Sequence, residues 1–333
     1  MFVLQSYAWA VVFCVITMFC WGSWANTQKL AKKGWRFELF YWDYAIGVLL
    51  LTIIFAHTLG AHGSVGQSAM ADLHGASYAS VRSALLGGAI FNLANILLVA
   101  AIDIAGMAVA FPVGIGIALV LGVVVNYIEH PIGNAVLLFS GVLLVTLAII
   151  LDAVAYRRIP GTAAGVSTKG LVLSVACGVL MGTFYRFVAA AMYPDFAHPV
   201  PGKMGPYAAV FVFAVGIFLS NFIINTIVMK KPFVGMPVSY ADYFKGGLTT
   251  HLTGILGGII WGIGMSFSII ASGRAGFAIS YGLGQGATMV AAFWGVFIWK
   301  EFRTAPAGTN RLIAAMFGCF LVGLALIILA RET

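Results

Sequence analysis

Charged residues are scarce in this sequence of 333 residues. Only 8% of them are Asp, Glu, Lys or Arg, whereas 62% are hydrophobic, and the mean hydropathy is +1.02. A soluble domain carries roughly a quarter charged residues, because its surface must be covered by groups that water can solvate. The shortage excludes a water-soluble enzyme, a disordered chain and a secreted disulfide scaffold.

The sequence also lacks the spacings that reactive and metal-binding sites need. Its four cysteines fall inside apolar runs without a C-x-x-C spacing, and its six histidines are scattered through links and helix ends. No nucleophile elbow or H-E-x-x-H motif occurs, and the Gly-x-Gly segments at 114–116 and 284–286 are not followed by the Lys of a phosphate loop. We therefore expect no enzyme activity, no metal site and no cofactor.

Long apolar runs make up most of the chain. A helix needs about 20 apolar residues to cross the hydrocarbon core of a bilayer. No Lys or Arg precedes the first run, so we expect that run to be a retained span and not a signal peptide. Ten runs predict spans at about 7–26, 38–58, 83–103, 107–128, 135–153, 170–192, 207–229, 247–271, 275–299 and 310–330.

The positive charges are distributed unevenly between the two sides of the predicted membrane protein. Thirteen Lys and Arg residues lie in links after odd-numbered spans, and four lie on the opposite side. The positive-inside rule then places the odd links in the cytoplasm and both termini outside. We interpret the net charge of +8 in this way and not as a nucleic-acid surface. The expected location is the inner (plasma) membrane, as a multi-pass protein.

An internal repeat relates the two halves of the chain. At an offset of 170, Gly87–Ala118 aligns with Gly257–Thr288, with nine identical residues among 32 positions. Five helices per half is an odd number, so the second half must enter the membrane from the opposite side. The fold class predicted is an all-α membrane protein with two inverted five-helix repeats, 1–155 and 156–333. A monomer is sufficient for such a pathway, and a dimer is possible.

Several short motifs carry a family resemblance along the whole chain. They are Trp21-Gly22-Ser23-Trp24, Tyr41-Trp42-Asp43-Tyr44, Gly87-Gly88 with Asn95, Gly114-x-Gly116 and Lys300-Glu301. In their order and spacing the chain resembles the drug/metabolite transporter (DMT) superfamily, and within it the rhamnose–proton symporter, the glucose/ribose porters and the plant ureide permeases. The resemblance implies a ten-helix importer of a small polar metabolite, with helices 1, 3, 4, 6, 8 and 9 lining the cavity.

Asp43 is an acidic residue inside the second apolar run. A carboxylate there is costly unless it is paired, hydrated or protonated, and such residues mark proton pathways in transporters. We predict that Asp43 exchanges the coupling proton, with the proton gradient as driving force. The alternative is an interfacial Asp that reaches cytoplasmic water or pairs with Arg36 or Lys33.

Arg186 is a cation inside the sixth span, close to its outer end. Arg keeps its proton and therefore needs an anion, carbonyl groups or water around it. One interpretation is a substrate anchor that binds a planar acceptor. The other is a snorkelling Arg, or one paired with Asp195.

Further polar and aromatic residues within the spans are candidates for contact with substrate. Small polar solutes are bound by aromatic planes with a few placed polar groups. Asn221 and Asn225 are expected to join helices, and Glu129 and Glu301 to cap or gate them. With Arg186, the predicted substrate-binding residues are Trp24, Asn92, Asn95, Tyr185, Trp261, Tyr281 and Gln285.

These features predict a secondary active transporter that works by alternating access. The first substrate class is a monosaccharide of rhamnose or glucose type, imported with protons. The alternative is a permease for a ureide, a nucleobase-like compound or a sugar acid, which Arg186 suits better. Export of drugs is a weaker interpretation, because a lipophilic cation would require an acidic cavity. The expected partners are the small-molecule substrate, protons and the lipid bilayer.

Overall fold

The computed structural model describes residues 1–63, 65–160 and 167–331, and all regular elements within these ranges are helical. Two 3-10 helices, Trp24–Leu30 and Glu301–Thr304, and two π-helical turns, Phe111–Ile115 and Trp294–Ile298, interrupt or extend the α-helices. The α-helices are α1 Tyr7–Ser23, α2 Phe37–His57, α3 Ala69–Gly75, α4 Tyr78–Ala105, α5 Met107–Ala110, α6 Gly116–Glu129, α7 Ala135–Tyr156, α8 Thr168–Ala191, α9 Pro206–Lys230, α10 Tyr240–Phe244, α11 Leu248–Ala275, α12 Phe277–Gly284, α13 Ala287–Phe293 and α14 Thr309–Leu329.

Ten helical segments within the described ranges are long and apolar enough to cross a membrane. Each coincides with one predicted span, so the prediction of an all-α membrane protein with ten spans is confirmed. The ends differ by several residues. The first span continues as a 3-10 helix to Leu30, and the third begins at Tyr78, one turn earlier than its apolar run.

The chain forms two compact units. Unit 1 consists of Met1–Asn92 and Phe184–Arg274, and unit 2 of Leu93–Thr183 and Ala275–Thr333. In unit 1, α2 packs on α9, whereas in unit 2 α7 packs along α14 and α6 packs on α12. These units are defined by contacts and not by the repeat, so the division at 155/156 stays a prediction.

Two glycines at equivalent positions of the repeat interrupt the chain in the same way. Gly106 separates α4 from α5 with φ +74°, and Gly276 separates α11 from α12 with φ +84°. Only glycine adopts this left-handed backbone without a steric penalty. The shared turn at an offset of 170 is consistent with the predicted inverted repeat.

The link between the second and third spans is more ordered than its composition indicates. The Gly- and Ser-rich sequence predicts a flexible surface loop, but the structure places helix α3 within it. Asp72 of α3 is 2% exposed and accepts hydrogen bonds from the Gly205 amide at 2.9 Å and the Tyr193 hydroxyl at 3.2 Å. The loop prediction therefore holds for 58–63 and 65–68 and fails for 69–75, where the buried Asp72 carboxylate anchors α3 to distant donors.

Small residues bring the helices of unit 1 into close contact. A Cβ atom added at Gly88 of α4 would lie 2.8 Å from the Ile217 amide nitrogen and 3.0 Å from the Gly216 carbonyl carbon of α9. Backbone atoms cannot move aside as a flexible side chain does. Gly88 is therefore required for the approach of α4 to α9, as glycines are in membrane helix packing.

We expect Gly88→Ala to destabilise the protein by about 1–3 kcal/mol, the usual cost of overpacking a tight contact. Gly318→Ala in α14 is the matched control, because an added Cβ at Gly318 has nothing within 4 Å. Alanine is a better helix former than glycine, so the control should be neutral or slightly stabilising. Thermal unfolding of the purified proteins in detergent measures both. Equal midpoints for the two variants would contradict this account of Gly88.

Candidate functional site

Five aromatic side chains of unit 1 form what we term the aromatic cluster: Trp21, Trp24, Tyr44, Phe91 and Trp261. Trp261 is 4% exposed, with its ring centroid 4.4 Å from Phe91 and 6.0 Å from Trp21, which it stacks at 13°. Tyr44 lies 4.6 Å from Trp24 and 6.1 Å from Trp261. Flat rings from α1, α2, α4 and α11 and from the 3-10 helix after α1 therefore meet in one place.

Glycines of α11 allow these rings to approach each other. An added Cβ at Gly264 would lie 2.7 Å from Trp21 Cδ1, and one at Gly258 would lie 2.8 Å from the Val48 amide of α2. The glycine positions of α11 therefore contact the Trp21 side chain of α1 and the backbone of α2 directly. The Gly257-Gly258 pair recognised in the repeat supplies one of these contacts.

Three polar atoms, two in the aromatic cluster and one on the residue that follows Phe91 in α4, are buried without a hydrogen-bond partner within the described chain. They are the indole Nε1 of Trp21, the hydroxyl of Tyr44 and Oδ1 of Asn92. Asn92 follows Phe91 and donates from Nδ2 to Ser220 Oγ at 2.8 Å. Since a buried polar group without a partner costs about 1–3 kcal/mol, these atoms indicate an unmet interaction. Together they offer one donor, one acceptor and one hydroxyl that serves as either.

A second group in unit 1 surrounds Asp43, and we term Asp43, His251, Tyr243 and Trp35 the Asp43 cluster. Asp43 is 1% exposed. His251 Nδ1 lies 3.0 and 2.9 Å from its two carboxylate oxygens, and the Tyr243 hydroxyl donates to Oδ1 at 2.6 Å. Trp35 packs edge-on against His251, with ring centroids 5.5 Å apart. The arrangement joins a carboxylate to an imidazole, the side chain that titrates closest to neutral pH.

The sequence allowed an ion pair between Asp43 and Arg36, but the structure gives Arg36 a different partner. Arg36 does not pair with Asp43 but forms a salt bridge with Glu38 at 2.5 Å. Burial and the hydrogen bond to Asp43 raise the pKa of Tyr243, so this phenol stays protonated and acts as a donor at neutral pH. His251 is the second partner of Asp43, and its side chain is 20% exposed.

The other predicted residues of unit 1 lie in different surroundings. Tyr185 is fully buried, and its hydroxyl lies 3.1 Å from Ser268 Oγ. Arg186 is exposed, with its guanidinium 5.8 Å from the Phe187 ring centroid. Asp195 bonds to His198 at 2.7 Å. The roles of Arg186 as a substrate anchor and as a snorkelling residue both stay predictions.

Three predicted substrate-binding residues belong to unit 2. Tyr281 is fully buried, and its hydroxyl lies 3.1 and 3.0 Å from the carbonyl oxygens of Ala118 and Met181, so it connects α12 to α6 and α8. Gln285 is 8% exposed and caps the end of α12, and Asn95 is 3% exposed. Their contact with substrate stays a prediction.

Some residues of the two clusters were missed in the sequence. Tyr44 follows the predicted Asp43 directly, and Tyr243 lies in a short link helix that no apolar run marks. His251 lies about four residues into the eighth predicted span, where the sequence fits an interfacial residue and a proton relay equally well. Asn225 joins helices as expected, donating to the Glu38 carbonyl at 2.8 Å, whereas both polar atoms of Asn221 are buried without a partner among the described residues.

Nothing in the described ranges groups three or more His, Cys, Asp or Glu side chains in a way that could hold a metal ion. All four cysteines are free thiols. The candidate site is therefore built from aromatic rings, amides, hydroxyls and one carboxylate–imidazole pair.

Comparison with known proteins gives a consistent result. The family model for ureide permeases matches residues 40–159 and 158–330. Ureide permease 1 of Arabidopsis thaliana is 23% identical over 384 aligned positions that cover 98% of both chains. Probable ureide permease A3 of Vigna unguiculata is 21% identical and covers 92% of this chain and 99% of its own.

Two further similarities extend beyond these permeases. Transmembrane protein 144 homolog B of Dictyostelium discoideum is 26% identical over 165 positions, which cover 48% of this chain and 40% of its own. One protein of known crystal structure superimposes with a TM-score of 0.61 at 15% identity, covering 98% of both chains. At this identity the crystal structure shows the fold alone.

Proposed function

Since this chain belongs to the ureide permease family, a family of membrane transporters and not of enzymes, we propose that it transports a small planar solute of the ureide class. The family supports the ureide alternative over the monosaccharide that stood first in the sequence interpretation. The choice of a ureide as the substrate of this chain is argued from the chemistry of its own site.

The aromatic cluster is our candidate for the ureide site. A ureide presents a flat face together with carbonyl acceptors and N–H donors. Rings of Trp21, Trp24 and Trp261 can stack on that face, as is usual in pockets for small polar solutes. The buried unpartnered atoms of Trp21, Tyr44 and Asn92 supply the donor and acceptors that a urea group requires. This combination is the observation that carries the proposal.

We propose that the Asp43 cluster couples transport to protons. The buried Asp43 and the partly exposed His251 form a pair that can hold or release one proton, and Tyr243 keeps the carboxylate oriented. Both clusters lie in unit 1 and share helices α2 and α11. Alternating access by two inverted five-helix repeats, membership of the DMT superfamily, and a plasma-membrane location with both termini outside are parts of the same proposal.

The test of substrate class is a binding and uptake panel on the purified full-length protein. Thermal unfolding is followed with hydantoin and allantoin as ureides, uracil as a nucleobase, and L-rhamnose and D-glucose as monosaccharides. A ligand at 100 times its dissociation constant stabilises the native state by about 2.7 kcal/mol. Uptake of the labelled compounds into proteoliposomes is then measured with and without a pH gradient.

We expect the ureides to stabilise the protein and to accumulate in proteoliposomes, and the monosaccharides to do neither. Stabilisation and uptake by the monosaccharides alone would overturn the ureide assignment. Stabilisation by uracil together with the ureides would extend the site to nucleobase-like compounds, which share the planar amide group. Equal accumulation of ureide with and without the pH gradient would overturn proton coupling but not the substrate class.

A further inference from the structure

An acidic cluster in unit 2 has no part in the proposed transport site. It consists of Asp152 and Tyr156 near the end of α7 and Glu301 at the start of the last 3-10 helix. Asp152 is 6% exposed and Tyr156 is 7% exposed. These two residues are four positions apart and therefore lie on the same face of α7.

Among the residues that the structure describes, no hydrogen-bond donor contacts Asp152. The Tyr156 hydroxyl donates to Glu301 Oε2 at 2.7 Å, and a phenol has only one proton to give. Oδ1 of Asp152 is buried and has no partner within the described chain. No hydrogen bond to Oδ1 offsets the cost of burying an ionised Asp152 carboxylate, and the negative charge of the neighbouring Glu301 repels it.

The surroundings of Asp152 offer little positive charge. Two of the segments packed against α7 are α5 and the first π-helical turn, and their sequence, MAVAFPVGI, contains no titratable residue. α6 carries Tyr127 and Glu129 at its opposite end. The basic residues near this end of α7 and α14 are all exposed: Arg157, Arg158, Lys300, Arg303 and Arg311.

We propose that Asp152, Tyr156 and Glu301 form a second proton-binding site, separate from Asp43. In the binding step a hydronium ion transfers its proton to the Asp152 carboxylate, which becomes a neutral carboxylic acid, and a water molecule is released. Tyr156 keeps its own proton and orients Glu301. Gly295 completes the site, because an added Cβ there would lie 2.6 Å from the Tyr156 hydroxyl and 2.9 Å from Glu301 Oε2. The site needs no cavity and does not depend on the identity of the transported solute.

Infrared difference spectroscopy of the purified full-length protein tests this site directly. The carbonyl stretch of a protonated carboxyl group is recorded from acidic to alkaline buffer in wild type and in Asp152→Asn. The substitution is nearly isosteric and replaces the acid by a neutral amide. We expect the band to be present at neutral pH in wild type and to lose one component in the variant. Asp103→Asn, which changes an exposed carboxyl of unit 2, is the control and should leave that component unchanged.

A spectrum of Asp152→Asn identical to that of wild type at every pH would overturn the proposal. Glu301→Gln provides a second test should Asp152→Asn not fold. It removes the neighbouring charge but keeps an acceptor for Tyr156, so the Asp152 band should disappear at a different pH than in wild type. A titration in Glu301→Gln that matches wild type would remove Glu301 from the site.

Discussion

Asp43→Asn is expected to abolish proton-driven uptake while leaving substrate exchange intact. The amide keeps the size and most hydrogen bonds of the carboxyl group, but it cannot take up or release a proton. Exchange of internal for external substrate requires only that the loaded carrier changes conformation. We expect driven uptake to fall by about 100-fold, the scale on which removal of a positioned proton-transfer group acts.

Both activities are measured in the same proteoliposomes. Driven uptake is initiated by an inward pH gradient, and exchange by labelled substrate outside vesicles loaded with unlabelled substrate. Asp72→Asn is a matched control, because Asp72 is a buried carboxyl in the same unit that also accepts a hydrogen bond from a tyrosine. Retained driven uptake in Asp43→Asn would show that the coupling proton binds elsewhere. An equal loss in Asp72→Asn would attribute the effect to stability.

The two tests of protonation separate the two proposed proton sites. Loss of driven uptake in Asp43→Asn with a normal infrared band for Asp152 assigns coupling to unit 1. A normal driven uptake in Asp43→Asn together with its loss in Asp152→Asn would transfer coupling to unit 2. Failure of the ureide assignment affects neither result, because both are read from proton movement and not from the identity of the solute.

The spans could be predicted from the sequence because each is a continuous apolar run between polar links. The sequence also predicted that Asp43 lies inside the second span, because it is an isolated acidic residue in an apolar run. Its partners could not be predicted. His251 and Tyr243 are about 200 residues away along the chain, and only the packing of α2 on the segments around α10 and α11 joins them to Asp43.

The sequence did not predict which face of each membrane helix points into the protein. In a soluble helix a polar stripe marks the exposed side, but a helix surrounded by lipid is apolar all round. Arg186 and Tyr185 are neighbours in α8, yet one is exposed and the other is fully buried. Composition treats such positions alike, so the sequence left a substrate anchor and an exposed, snorkelling Arg186 as open alternatives.

Trp261→Ala is expected to abolish ureide binding and to lower stability by about 3–5 kcal/mol, the usual cost of truncating a buried large aromatic side chain. The indole contacts Phe91 and Trp21 within the aromatic cluster. Without it, the stacking plane for a flat solute is lost. Binding is measured by calorimetry and stability by thermal unfolding, both on purified protein.

Trp42→Ala is the matched control for Trp261→Ala. Trp42 is 5% exposed against 4% for Trp261 and lies in the same unit, but it packs against Met229 and Phe222 and not in the aromatic cluster. Both variants should therefore lose similar stability, and only Trp261→Ala should lose binding. The pair Trp261→Phe and Trp42→Phe repeats the comparison with a smaller loss of volume. Equal losses of binding at the two positions would show that the aromatic cluster is core and not a site.

Tyr44→Phe distinguishes most clearly between an aromatic cluster that is only hydrophobic core and one that binds substrate. It removes a buried hydroxyl that has no partner in the described chain and leaves the ring in place. If the cluster is core, the variant is more stable by about 1 kcal/mol and nothing else changes. If the hydroxyl is reserved for the substrate, the same gain in stability comes with binding that is about two- to tenfold weaker, the value of one hydrogen bond. A substitution that raises the stability of the ligand-free protein and lowers its affinity for substrate therefore identifies a binding site.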